Sequence, residues 1–142
     1  MTIELPCAAI PVRGRVDPEA SEVAVTALLL AGVVTGGTVL VRDPLPLDAG
    51  AVRRIRADLA RTWAYVVASA DGLTATTRST AGELQPFDAT LPVDVLPLYA
   101  VAATRATDEC VLTGSDGSAA QWAPLLSQLG VDVRVAGENL VV

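Results

Sequence analysis

The feature that most constrains this chain is the run Val23 to Val34, 12 residues interrupted by Thr26. Val23, Ala27, Leu30 and Val34 fall at i, i+4, i+7 and i+11, and Val25, Leu28 and Leu29 cover the other side. A helix that is apolar nearly all round must be buried, so other elements have to wrap it. It is not a membrane span, which takes ~20 apolar residues. With 142 residues, 51% hydrophobic and 18% charged, the chain has material for one compact domain with a sizeable core. Asp17-Pro18-Glu19 is expected to open the helix, with an N-cap carboxylate, a first-turn proline and an acid, and Gly36-Gly37 to end it.

Helix-period and strand-period segments alternate around this run. Thr2 to Val16, with Pro6, Pro11 and Gly14, reads at best as an edge strand and a turn. After the buried helix come a strand at Thr38–Val41 and a helix capped by Asp48. In that helix Val52, Ile55 and Leu59 face inward and Arg53, Arg54 and Arg56 outward. A strand-like run at 62–69 then turns through Asp71-Gly72 into Leu73–Thr76. The order recurs: a stripe of Val95, Leu98, Ala102 and Ala106, a strand at Cys110–Thr113, and a second stripe of Trp122, Leu125, Leu126 and Leu129 starting near Gln121. Gly130 stops that helix, Val131–Val135 alternates, and Leu140–Val142 closes. Thr38–Val41 maps on Cys110–Thr113 at an offset of 72, and Asp71-Gly72-Leu73 on Glu138-Asn139-Leu140 at 67. The fold class expected is α/β (α+β), a single domain of two tandem repeats. Repeat one covers about 12–76, a polar connector 77–83, and repeat two about 84–142.

Composition removes whole mechanisms. All ten basic residues are arginine, and there is no histidine. That rules out serine–histidine and cysteine–histidine nucleophile pairs, a histidine general base, His-containing zinc sites, Schiff-base chemistry and Walker-A phosphate binding. No cofactor and no metal are expected. Net charge is −6, and the short cluster Arg53-Arg54-Ile55-Arg56 has no interleaved aromatics, so neither nucleic acid nor a membrane is an expected partner. Cys7 and Cys110 stand 103 positions apart and read as reduced core thiols of a cytoplasmic protein, the alternative being one long-range disulfide. No signal or transit pattern opens the sequence.

Several segments resemble a known family. Val16-Asp17-Pro18-Glu19-Ala20-Ser21-Glu22 followed by Ala27-Leu28-Leu29-Leu30-Ala31 is similar to a "v-x-G-D-x-S-S" turn entering a buried helix. Leu91-Pro92-Val93-Asp94-Val95-Leu96-Pro97-Leu98-Tyr99-Ala100-Val101-Ala102-Ala103 is similar to "I-D-E-L-P-x-L-A-V-A-A". Leu129-Gly130-Val131-Asp132-Val133 and Glu138-Asn139-Leu140-Val141-Val142 match an "L-G-A-x-V…D-G-L-x-I" ending. These are motifs of the enolpyruvyl transferase superfamily, most closely the 5-enolpyruvylshikimate-3-phosphate (EPSP) synthases. The resemblance implies βαβαββ-type repeats with buried helices, two of the six in that family, forming part of a β-prism. It places Asp94 at the family's aspartate, which engages the transferred substrate hydroxyl, and Ser21 at one serine of the turn. Pro18, Glu19 and Glu22 replace the glycine, the aspartate and the second serine.

After Thr113 the chain departs from the family. A loop of the type "L-R-x-K-E-S-D-R", which binds phosphate and moves protons, is replaced by Gly114-Ser115-Asp116-Gly117-Ser118-Ala119-Ala120 without one basic residue. Phosphoenolpyruvate and a phosphorylated acceptor bring several negative charges that need cations and N–H donors, so standard transfer is not expected. Asp94 therefore has two readings, a retained acid/base or a helix-start carboxylate with no function. Ser21 and Glu22 line a ligand pocket or are simply first-turn polar residues, and Arg13 and Arg15 are the remaining anion candidates. The Arg53, Arg54, Arg56 stripe reads as a solvated face, the alternatives being an anionic ligand or a partner's acidic face. Trp63, Trp122, Tyr65 and Tyr99 read as core or interface anchors. Two repeats where the family packs three leave an apolar flank, so a homodimer or a partner chain is expected. Three functions remain: a truncated member that binds or transforms a small polar or carbocyclic metabolite, a catalytically dead assembly subunit, or half of a split enolpyruvyl transferase.

Overall fold

A computed structural model describes residues 21–42, 47–62, 64–77 and 83–142. Its first half runs α1 (Glu22–Val34), β1 (Thr38–Val41), α2 (Ala49–Arg61), β2 (Ala64–Ser69) and β3 (Gly72–Thr77). The second runs β4 (Asp88–Leu91), α3 (Leu96–Ala103), β5 (Val111–Gly114), a 3-10 turn (Ala119–Trp122), α4 (Ala123–Gln128), β6 (Arg134–Ala136) and β7 (Asn139–Val141). The class is mixed α/β with two sheets, as the patterns predict. Thr2 to Val16, the Asp17-Pro18-Glu19 start, Arg13, Arg15, Cys7, Trp63 and most of the 77–83 connector lie outside the described residues.

The buried helix forms where the apolar run demands it, but it begins at Glu22. Ser21 is extended, at φ −101° and ψ 147°, and its hydroxyl oxygen accepts from the Ala24 N–H at 3.1 Å. That bond satisfies a donor the first turn leaves open. Val25, Leu29, Leu30 and Val33 are buried, and the helix packs on β1 and β3. Close approach depends on Gly32: a Cβ there would stand 2.4 Å from Val39 Cγ2 and 2.8 Å from Val39 Cβ. Asp48 caps α2 as expected, its Oδ1 accepting from the Ala51 N–H at 2.7 Å, with Ala51, Ile55 and Leu59 buried.

The sheets share an internal order. The first is β1-β3-β2 and the second β4-β5-β7-β6, with β1–β3, β2–β3, β5–β7 and β6–β7 antiparallel and β4–β5 parallel. The hairpin pairs Ser69↔Gly72 and Ala136↔Asn139 correspond at 67 positions, and the same shift carries Leu73 to Leu140. Because Val41 pairs Leu73 and Leu112 pairs Leu140, Val41 corresponds to Leu112, 71 positions on. The offset of 72 read from the sequence is one too many. It would match exposed Leu40 with buried Leu112, and a one-residue slip turns every side chain to the wrong face.

Three further differences have local causes. The tight turn is Ala70-Asp71, and Gly72 opens β3 instead of sitting in the turn. At φ +134° its absent Cβ would meet the Val41 carbonyl oxygen at 2.1 Å, a position only glycine fills. In α3 the buried side is Leu96, Tyr99, Ala100, Ala102 and Ala103, while Leu98 is half-buried and Ala106 lies past the helix in a bridge to Leu84. The second stripe begins as a 3-10 turn and becomes α-helical at Ala123, which leaves Pro124 in the first α-turn, where it costs no hydrogen bond. One core spans both halves, from Leu29, Ile55 and Leu59 to Leu91, Tyr99, Leu112 and Leu140. Among the described residues, no helix is long and apolar enough to cross a membrane.

Candidate functional site

Parallel pairing of β4 with β5 brings two connections to one end of a sheet. Leu91 pairs Gly114 at the C-terminal ends of both strands, and the Ser115 N–H donates to the Leu91 carbonyl at 2.9 Å. From there one chain runs through Pro92–Val95 into α3 and the other through Ser115–Ser118 into the 3-10 turn. In open α/β sheets the crevice beyond the strand C-termini is where ligands sit. The Gly137-Glu138 turn reaches the same end, because Thr113 pairs Asn139 and its hydroxyl donates to Asn139 Oδ1 at 2.8 Å.

Asp94 stands exposed at this edge and, among the described residues, makes no hydrogen bond or ion pair. It does not cap α3. The N-cap is Val95, in the right-handed helical region and with no side-chain cap bond. The capping role left open by the sequence is therefore not taken. Across the edge the 114–120 loop holds its own shape: Asp116 Oδ1 accepts from the Ser118 N–H at 3.0 Å and from the Ser118 hydroxyl. These bonds hold the Asp116 carboxyl below its usual range. Gly117, at φ +75°, lies against the Glu138 carboxylate, 3.8 Å from where its Cβ would be. The rim thus offers Asp94, Asp116, Glu138, Ser118 and Asn139, and neither connection carries a basic residue. Ionised carboxylates of this kind accept hydrogen bonds from hydroxyl or ammonium groups.

Ser21 and Glu22 are placed elsewhere, at the start of α1, and both are engaged locally. Glu22 takes a bidentate pair from Arg54 of α2, Nε to Oε1 at 3.0 Å and a terminal nitrogen to Oε2 at 2.8 Å. The pair raises the Arg54 pKa, and Arg53, Arg54 and Arg56 are all exposed, as a solvated face requires. Beside it Asp58 is half-buried, 3.9 Å from Arg61, and burial pushes its carboxyl up.

Tyr99 is a core anchor, one of the two roles read from the sequence. It is fully buried, edge-on to Phe87 with ring centroids 6.3 Å apart, and its hydroxyl has no hydrogen-bond partner among the described residues. Burial drives its pKa far up, with Asp58 adding to the rise. Trp122 is half-buried, its Nε1 without a hydrogen-bond partner among the described residues, and Tyr65 is exposed. Cys110 is a buried thiol whose sulfur accepts from the Phe87 N–H at 3.4 Å; Cys7, the other half of the disulfide alternative, lies outside the described residues. The strand β4 itself was not assigned from the sequence. The alternation of Asp88, Ala89, Thr90 and Leu91 was a usable signal for it. Among the described residues, no group of three or more Cys, Asp or Glu side chains could hold a metal ion.

No protein-family model and no curated protein matches the chain. Solved structures do match. The crystal structure of the enolpyruvyl transferase NikO from Streptomyces tendae superposes with a TM-score of 0.63 at 22% identity, over 85% of this chain. The chain spans 29% of the NikO chain. By this likeness, the described architecture has the fold of an enolpyruvyl transferase segment.

Proposed function

We propose that this chain is an EPSP-synthase-like protein that has lost standard enolpyruvyl transfer and binds or transforms a small polar or carbocyclic metabolite without phosphate, in specialised metabolism. The observation that carries this reading is the edge beyond β4 and β5. There Asp94 is exposed and has no partner among the described residues, and the neighbouring Ser115–Ser118 connection has no basic residue. An aspartate without a partner among the described residues suits hydroxyl recognition, while two connections with no basic residue give a phosphoryl group no compensation of their own. Asp94 is the proposed ligand contact, and Ser21 and Glu22 are a secondary polar surface committed to Ser21's cap and the Arg54 pair. We also read the chain as two copies of one unit, about 12–76 and 84–142 joined by 77–83, supported by the shared order β1-β3-β2 and β5-β7-β6.

A binding or assembly subunit is the second reading. It is supported by exposed apolar side chains on otherwise buried elements, such as Val101 of α3 at 46% exposure. On either reading the chain acts as a homo-oligomer or with a partner protein. A split transferase half is supported by the 29% coverage of NikO, and it requires a companion chain that brings the missing cations. A cytoplasmic setting is part of this reading, with Cys110 as a buried core thiol. The deciding experiment measures phosphate release from phosphoenolpyruvate and shikimate 3-phosphate, and thermal shifts with matched phosphorylated and unphosphorylated cyclitols. No phosphate and a shift with the unphosphorylated compound alone are expected. Phosphate release by the chain alone refutes the reading.

A further inference from the structure

We draw no further inference here: the strongest candidate, the groove beside the C-terminal end of β7 lined by Asp108, Glu109, Asp132 and Arg134, is a cluster of exposed acidic side chains whose arginine is already paired with Glu109, and nothing in the structure shows what occupies it.

Discussion

Gly32→Ala sets two opposing effects against each other at the closest helix–strand approach of the first half. In a helix interior alanine is favoured over glycine by about 1 kcal/mol. Against this, the new Cβ would lie 2.4 Å from Val39 Cγ2, 2.8 Å from Val39 Cβ and 3.3 Å from the Val39 nitrogen. Comfortable carbon contacts are ~3.5–4.0 Å. Rotation of Val39 about χ1 moves Cγ2 away but leaves Cβ and the nitrogen, which the β1 backbone fixes through its pairing with Ala75. The helix must therefore retreat by roughly 1 Å, lifting Leu29 and Val33 from the sheet, an overpacking strain near the upper end of ~1–3 kcal/mol. The net expectation is a loss of about 1–2 kcal/mol, read as a lower urea midpoint at unchanged slope. In a double-mutant cycle with Val39→Ala, which removes Cγ2 but not Cβ, part of the loss returns, with a coupling of at least ~0.5 kcal/mol. Stability equal to or above the parent would refute the reasoning, because helix propensity alone would then govern the site.

Two more expectations separate residues that look alike in the sequence. Ser21→Ala costs ~1 kcal/mol by removing the cap on the Ala24 N–H, whereas Asp94→Ala changes unfolding by less than ~0.5 kcal/mol because Asp94 caps nothing. Equal losses in thermal unfolding would contradict the assignment. Burial raises the Asp58 carboxyl, so the folded state binds its proton more tightly than the unfolded one. The stability it allows is present below the unfolded value and is lost as pH rises through the folded one. Asp58→Asn should therefore be more stable than the parent near about pH 7 and equal to it near about pH 3. A variant less stable near neutrality would mean that attraction to Arg61 outweighs desolvation.

What could be read from the sequence follows its periodicities. The all-round apolar run gave α1 because no other arrangement hides Leu29 and Leu30 together, and Asp48 announced α2 through the inward positions Ile55 and Leu59. Edges were harder. Ser21 caps α1, which depends on where the chain turns and not on composition. Gly72 is required by the Val41 carbonyl from a neighbouring strand, a contact no local pattern encodes. The one-residue error in the repeat offset arose because Val39, Leu40 and Val41 are all apolar, so alternation could not mark which of them points inward. At the candidate site the missing cations of the 114–120 loop were visible in the residues themselves. The Arg54 pair with Glu22 was not, since it joins residues 32 positions apart on two helices.

The central claim, a transferase fold whose remaining edge recognises an unphosphorylated ligand through Asp94, is tested most directly by thermal unfolding of the parent and Asp94→Asn with one matched pair, a cyclitol and its monophosphate. The account expects the unphosphorylated compound to raise the parent's Tm, Asp94→Asn to abolish that rise, and the monophosphate to raise neither. A rise with the monophosphate, or one that persists in Asp94→Asn, would contradict it.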